Sequence, residues 1–136
     1  MSAPVIVTDT GFAPDDFSGQ FDTLDTLSPG TGAIDLPGDA DPARLPSLTR
    51  LAFIRIGFAS FADGRGFTLA ARLRRLGFTG RLRAAGPLIA DQYAMARRAG
   101  FDEVEIPPRI AARQPEAQWR ARADWRAHHY QTRLRA

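Results

Sequence analysis

Between residues 50 and 107 one event happens twice: a strand-like run, a helical stretch and a glycine-phenylalanine stop. Gly77-Phe78 closes the first helical stretch and Gly100-Phe101 the second, 23 residues on, with Arg74-Arg75 and Arg97-Arg98 at the same offset ahead of each stop. Residues 50–58 are nearly continuously apolar, interrupted by Arg55 and Gly57, which suits a strand buried on both faces of a parallel sheet. Residues 67–76 follow with helical periodicity, placing Leu69, Ala70, Leu73 and Leu76 on one face and Arg72 and Arg75 towards the other. Gly77 fits the first position past that helix and Phe78 the second, where it reaches Leu73 in a Schellman arrangement. Residues 81–86 alternate, which predicts a strand with one polar face or an edge position. Pro87 opens a second helix to about Ala99, with Ile89, Gln92, Tyr93 and Ala96 along one stripe, and residues 103–106 form a third strand stopped by Pro107-Pro108. The result is a β-α-β-α-β unit, an α/β fold with a small parallel sheet. Right-handed crossovers put both helices on one face of it unless the winding reverses.

The flanks are less regular. Residues 4–8 predict a short strand, and from Asp9 to Pro37 turn and loop chemistry takes over. Phe12, Phe17, Phe21, Leu24 and Leu27 stand in that stretch as isolated anchors for the main domain. Asp41-Pro42 reads as an N-cap with proline at the first helical position, opening a short turn that stops before Pro46. After Pro115 a last helix is expected over 116–134, with Trp119, Ala123, Ala127, Tyr130 and Leu134 on one face and Trp125 off it, near His128 and His129. The division expected is therefore an irregular acidic arm with one short strand over 1–49, and an α/β domain with a C-terminal helix over 50–136.

Charge follows that division. Residues 1–49 carry eight Asp and one Arg, whereas residues 50–136 carry seventeen Arg and seven acids. Every basic residue is arginine in both halves, which reads as a compositional bias and discounts the high isoelectric point. The basic half suits anions, acidic protein surfaces or nucleic acid, or on the plainer reading forms a solvated arginine surface partly neutralised by the acidic segment. It holds no interleaved aromatics and no nucleic-acid motif, so nucleic acid is not an expected partner. The chain has no cysteine, which removes disulfides, thiolate metal sites, cysteine-ligated clusters and cysteine nucleophiles together and fits a reducing cytoplasm. No apolar run approaches the roughly 20 residues of a membrane span.

In a parallel sheet every strand ends at the same edge, so the loops 60–66, 86–91 and 107–109 converge. The first, Phe61-Ala-Asp-Gly-Arg-Gly-Phe67, concentrates the chemistry. Arg65 beside free helix amides suits a phosphate, sulfate, sulfite or carboxylate, with Asp63 orienting it and Gly64 and Gly66 letting the backbone approach. Asp91 and Gln92 close the pocket from the second loop, and Arg109 is available on the third. The plainer reading stands beside this one: Asp63 caps the helix, the glycines serve backbone geometry, and Asp91 complements a helix dipole. Asp-Gly-Arg-Gly is neither a P-loop nor a dinucleotide fingerprint. His128 and His129 point about 100° apart on a helix and make no chelating pair, so neither a metal nor a cofactor is expected.

The run 61–86, with Asp91-Gln92 and Arg97-Arg98-Ala-Gly-Phe101-Asp, resembles an uncharacterised bacterial family that carries the label of an oxidoreductase involved in sulfite reduction. The resemblance covers about residues 50–107 and implies a role in sulfur assimilation, with sulfite reductase or phosphoadenylyl-sulfate reductase as partners. In that family a proline and a basic residue often precede the phenylalanine, and a cysteine often follows later. Here Ala59, Ser60 and Ala99 hold those places. The label of oxidoreductase fits poorly a chain with no cysteine, no nucleotide fingerprint and no set of cofactor ligands. The resemblance therefore implies an accessory protein that binds a partner reductase or a sulfur oxyanion. The alternative is an enzyme acting on a small anion at the converging loops through Asp63, Arg65, Asp91 and Gln92.

Overall fold

The structure is a computed structural model that describes residues 3–126. The fold is mixed α/β, built on one six-stranded, mostly parallel sheet. The strands are β1 (Val5–Thr8), β2 (Gly11–Ala13), β3 (Ala33–Leu36), β4 (Phe53–Gly57), β5 (Arg81–Ala85) and β6 (Glu103–Ile106), in the order β2-β1-β6-β5-β4-β3. Strands β3 to β6 run parallel, and β1 pairs antiparallel with both β6 and β2. The helices are α1 (Arg65–Arg75), α2 (Tyr93–Ala99), α3 (Pro108–Arg113) and α4 (Glu116–Arg120). Helices α1 and α2 pack against each other, as expected for crossovers that return on one side of the sheet.

Three expectations need correction. Residues 1–49 contribute three strands rather than one, because two short runs, Gly11–Ala13 and Ala33–Leu36, pair at the two sheet edges. Each is only three or four residues long among turn residues, too short for a periodic signal. The helix opened at Asp41 does not stop before Pro46. A 3-10 helix runs from Pro42 to Leu48 and carries Pro46 inside it, with the Asp41 side chain capping Ala43 N at 3.0 Å as the sequence implied. The second crossover begins late: Gly86 turns the chain, Leu88 N donates to the Gly86 carbonyl, and α2 starts only at Tyr93 after a short 3-10 turn. Beyond β6 the second proline of Pro107-Pro108 starts α3 as well as ending the strand. The expected helix over 116–134 is described as α4 followed by turns at 121–124. Its continuation, with His128 and His129, lies outside the described residues.

Period two along the strands sorts the sheet into unlike faces. Ile34, Leu36, Ile54, Ile56, Leu82, Ala84, Val104 and Ile106 face the helices and form the core with Leu69, Leu73, Phe78, Leu88, Tyr93 and Phe101. Paired across the strands on the other face are Asp35, Arg55, Arg83 and Glu103, with Glu105 beside them. Residues 14–21 cross that face, where Phe17 and Phe21 pack edge-on against Phe53 at 4.9 and 5.0 Å. No backbone hydrogen bond ties residues 14–21 to the sheet; side chains hold them.

The repeated stop is a repeated structure. Phe78 N donates to the Leu73 carbonyl and Gly77 N to that of Arg74; Phe101 N donates to Ala96 and Gly100 N to Arg97. Both glycines take the left-handed conformation this requires, at φ 102° and 116°. The repeated arginine also has a shared task. Arg74 Nη1 donates to the Phe78 carbonyl at 3.1 Å and Arg97 Nη1 to that of Phe101 at 2.6 Å, so each arginine locks the turn that follows its own helix.

Candidate functional site

Strands β3, β4 and β5 end side by side, and the loops that leave them enclose an open depression of about 380 Å³. The loop after β4 is anchored by Phe58, whose ring packs against Phe67 and Phe101 at 4.9 and 5.9 Å. Gly66 exists for that ring: a Cβ there would lie 2.5 Å from it. Gly64 has no such duty. Its φ is −93°, and a Cβ would meet nothing within 4 Å. The two glycines that read alike in sequence are therefore unlike, one a packing residue and one open to solvent.

Asp63 pairs with Arg65 and holds its backbone amide, but the cap residue of α1 is Gly64, with no side-chain cap bond. One carboxylate oxygen accepts the Arg65 backbone amide at 3.2 Å and Arg65 Nε at 3.0 Å, and the other accepts Arg65 Nη2 at 3.1 Å. The side-chain hydrogen bond from Arg65, then its backbone amide, hold the Asp63 carboxyl below its ordinary value. The same bond, the Asp63 charge and the nearby charge of Asp39 hold Arg65 above its own. Both groups therefore stay ionised at neutral pH and neither is poised to exchange a proton. Asp39 and Asp63 face a single arginine in the depression, so its lining is acidic on balance.

The second loop divides its residues. Gln92 uses both ends of its amide on backbone: Nε2 donates to the Phe61 carbonyl at 2.6 Å, and Oε1 accepts from Ile89 N at 3.1 Å. It staples the second loop to the first. Asp91 points elsewhere, accepting from Arg122 Nη2 at 2.5 Å. Of the six residues expected at the site, Asp63 and Arg65 line the depression, and Gly64, Gly66, Asp91 and Gln92 do not. Arg109 lies exposed on α3.

The sequence reading missed two contributors. Gly38 and Asp39 line the depression from the loop after β3, a strand that was not foreseen. The signal was present in the apolar Ala33-Ile34 and Leu36 just ahead of Pro37-Gly38. Phe61, read only as part of the motif, is 57% exposed at the loop tip with its carbonyl fixed by Gln92. Among the described residues no helix is long and apolar enough to cross a membrane.

The family model described as a bacterial protein of unknown function, DUF934, matches residues 33–136, most of the chain, and the protein belongs to that family. The matched region takes in β3 to β6 with their crossovers, and leaves β1, β2 and the crossing segment outside it. No curated protein and no solved structure matches the chain.

Proposed function

We propose that this family member is an accessory protein of sulfite reduction that docks a partner reductase through the loop after β4, with Phe61, Asp63 and Arg65 as the contact. The pathway enters through the resemblance of residues 50–107, which names sulfite reductase and phosphoadenylyl-sulfate reductase as candidate partners. The observation that carries docking is the pairing at the loop tip. Arg65 is already matched by Asp63, with Asp39 close by, so a sulfur oxyanion must compete with two carboxylates. A protein surface meets no such competition, because it can cover Phe61 and satisfy the Asp63–Arg65 pair at once. An exposed aromatic beside an arginine is the composition of an interface hot spot.

The test is biolayer interferometry of the full chain against each purified reductase, with sulfite, sulfate and adenylated sulfate titrated calorimetrically in parallel. Phe61→Ala is expected to weaken the complex by about 30-fold, the size of a hot-spot loss, with an unchanged melting temperature. Absence of any complex, together with heat from an oxyanion that Arg65→Ala abolishes, replaces the docking reading with the oxyanion one.

A further inference from the structure

We propose that the groove between the Pro42–Leu48 segment and the C-terminal end of α1 is a second docking surface, and that its occupant is an acidic partner segment carrying an apolar side chain. The groove holds about 330 Å³ and is lined by Pro42, Pro46, Arg72, Arg75 and Leu76. Leu76 is one of three large apolar residues left open to solvent among those described, at 47% exposure. Two prolines form the facing wall. They lose no side-chain freedom when covered, which lowers the ordering cost of binding.

The charge beside this apolar floor is unanswered. Helix α1 contains no acidic residue, and α2 beside it contains none either. Arg74 turns inward and spends its guanidinium on the Phe78, Gly80 and Gly100 carbonyls and on Asp102. Arg55, Arg81, Arg83 and Arg97 are likewise paired. Arg72 and Arg75 have no ion pair or hydrogen-bonded partner for their side chains among the described residues, and they flank Leu76. Favourable interaction with the helix dipole accounts for cations in a last turn. It does not account for an open leucine between them. A nucleic-acid backbone would take the two arginines and leave Leu76 and the prolines in water, whereas a protein segment with carboxylates around an apolar residue answers both. The inference stands apart from the Phe61 loop, which lies at the opposite end of α1.

The test uses the full chain, labelled with ¹⁵N, and a fluorescein-tagged hexapeptide of four glutamates around a central leucine-phenylalanine pair. An all-glutamate hexapeptide and a single-stranded oligonucleotide serve as competitors. Binding is expected at sub-millimolar concentration, with amide shift changes confined to residues 42–48 and 72–76. R72E/R75E and L76S are each expected to weaken it at least tenfold, and F61A to leave it unchanged. The proposal is overturned if the apolar hexapeptide does not bind at millimolar concentration, or if the all-glutamate peptide binds equally well. It is overturned equally if the oligonucleotide displaces the peptide and binds more tightly, or if R72E/R75E has no effect.

Discussion

The two faces of the sheet are made from alternate residues of the same strands, yet they are stabilised by opposite means. Under the helices, Ile54, Ile56, Leu82, Val104 and Ile106 are fully or almost fully buried and owe their stability to removal from water. One residue along the strand from Leu82, Arg83 is equally inaccessible and carries a charge. Its Nε donates to Glu103 at 2.5 Å, and Nη1 donates to Glu105 at 2.8 Å and to Asp15 at 3.1 Å. Burial alone would lower its pKa, but the hydrogen bonds to Asp15 and Glu103 and the Glu103 charge outweigh that and hold it above the ordinary value. Aromatic faces complete the enclosure: Arg55 sits 3.9 Å from the Phe21 ring centroid, and Arg81 and Arg83 lie 4.6 and 4.9 Å from that of Phe53. The apolar face tolerates apolar residues that conserve its volume. The charged face tolerates only a balanced set, because every buried charge there depends on another.

The largest expected effect comes from unbalancing that set. Arg83→Met keeps much of the volume but removes the guanidinium that Glu103, Glu105 and Asp15 share, leaving Glu103, itself 6% exposed, with Arg81, and leaving Asp15 without its guanidinium. A loss of about 3–5 kcal/mol in urea denaturation is expected. Adding Asp15→Asn should cost little more, because that carboxylate has already lost its guanidinium. A double variant that loses the full sum of the two single losses would mean that Asp15 is held by something other than Arg83. On the other face Leu73→Ala, at a position with no exposure, is expected to cost about 2–5 kcal/mol through lost burial and the cavity left behind. No charge substitution elsewhere should restore it.

The difference between the faces also explains what could be read in advance. The helix-covered face was legible because apolar periodicity reports it directly: Leu69, Ala70 and Leu73 are buried as expected, and the Gly77-Phe78 stop folds as its residues imply. The alternation of Arg81 and Arg83 announced a polar face but not its coverage. Coverage depends on Asp15 and Asp16, which reach Arg83 and Arg81 from some 65 positions away and leave no local pattern. The candidate site divided the same way. Asp63 and Arg65 are two residues apart and meet as their spacing allows. Asp91 was assigned to the pocket by its place at a strand-end loop, yet its partner Arg122 comes from a segment that such reasoning did not position.

Acid should loosen the charged face before the apolar one. The hydrogen bond from Arg83 holds the Asp15 carboxyl below its ordinary 3.8. A carboxyl lowered by folding contributes stability that is complete above its unfolded value and is lost as pH falls through the folded one. As pH falls below about 4, exchange of the amides of residues 14–21 and proteolysis within that segment should therefore accelerate ahead of global unfolding. Asp15→Asn should reproduce the loosening at neutral pH, costing about 1 kcal/mol once solvent screening is allowed for.

The smallest effect sharpens the comparison most. Asp16 is the neighbour of Asp15 and makes an ion pair of similar length, 2.7 Å to Arg81, but its side chain is 75% exposed. Arg81 does not depend on it, because Glu103 accepts from the same guanidinium at 2.8 Å. If enclosure rather than pairing gives this face its stability, Asp16→Asn should leave the denaturation midpoint at neutral pH within error of the wild type, and Asp15→Asn should not. Equal losses from the two substitutions would mean that the acidic segment is held by its summed charge. In that case 0.5 M salt should release it from the wild type as well, since screening reaches every exposed pair at that ionic strength.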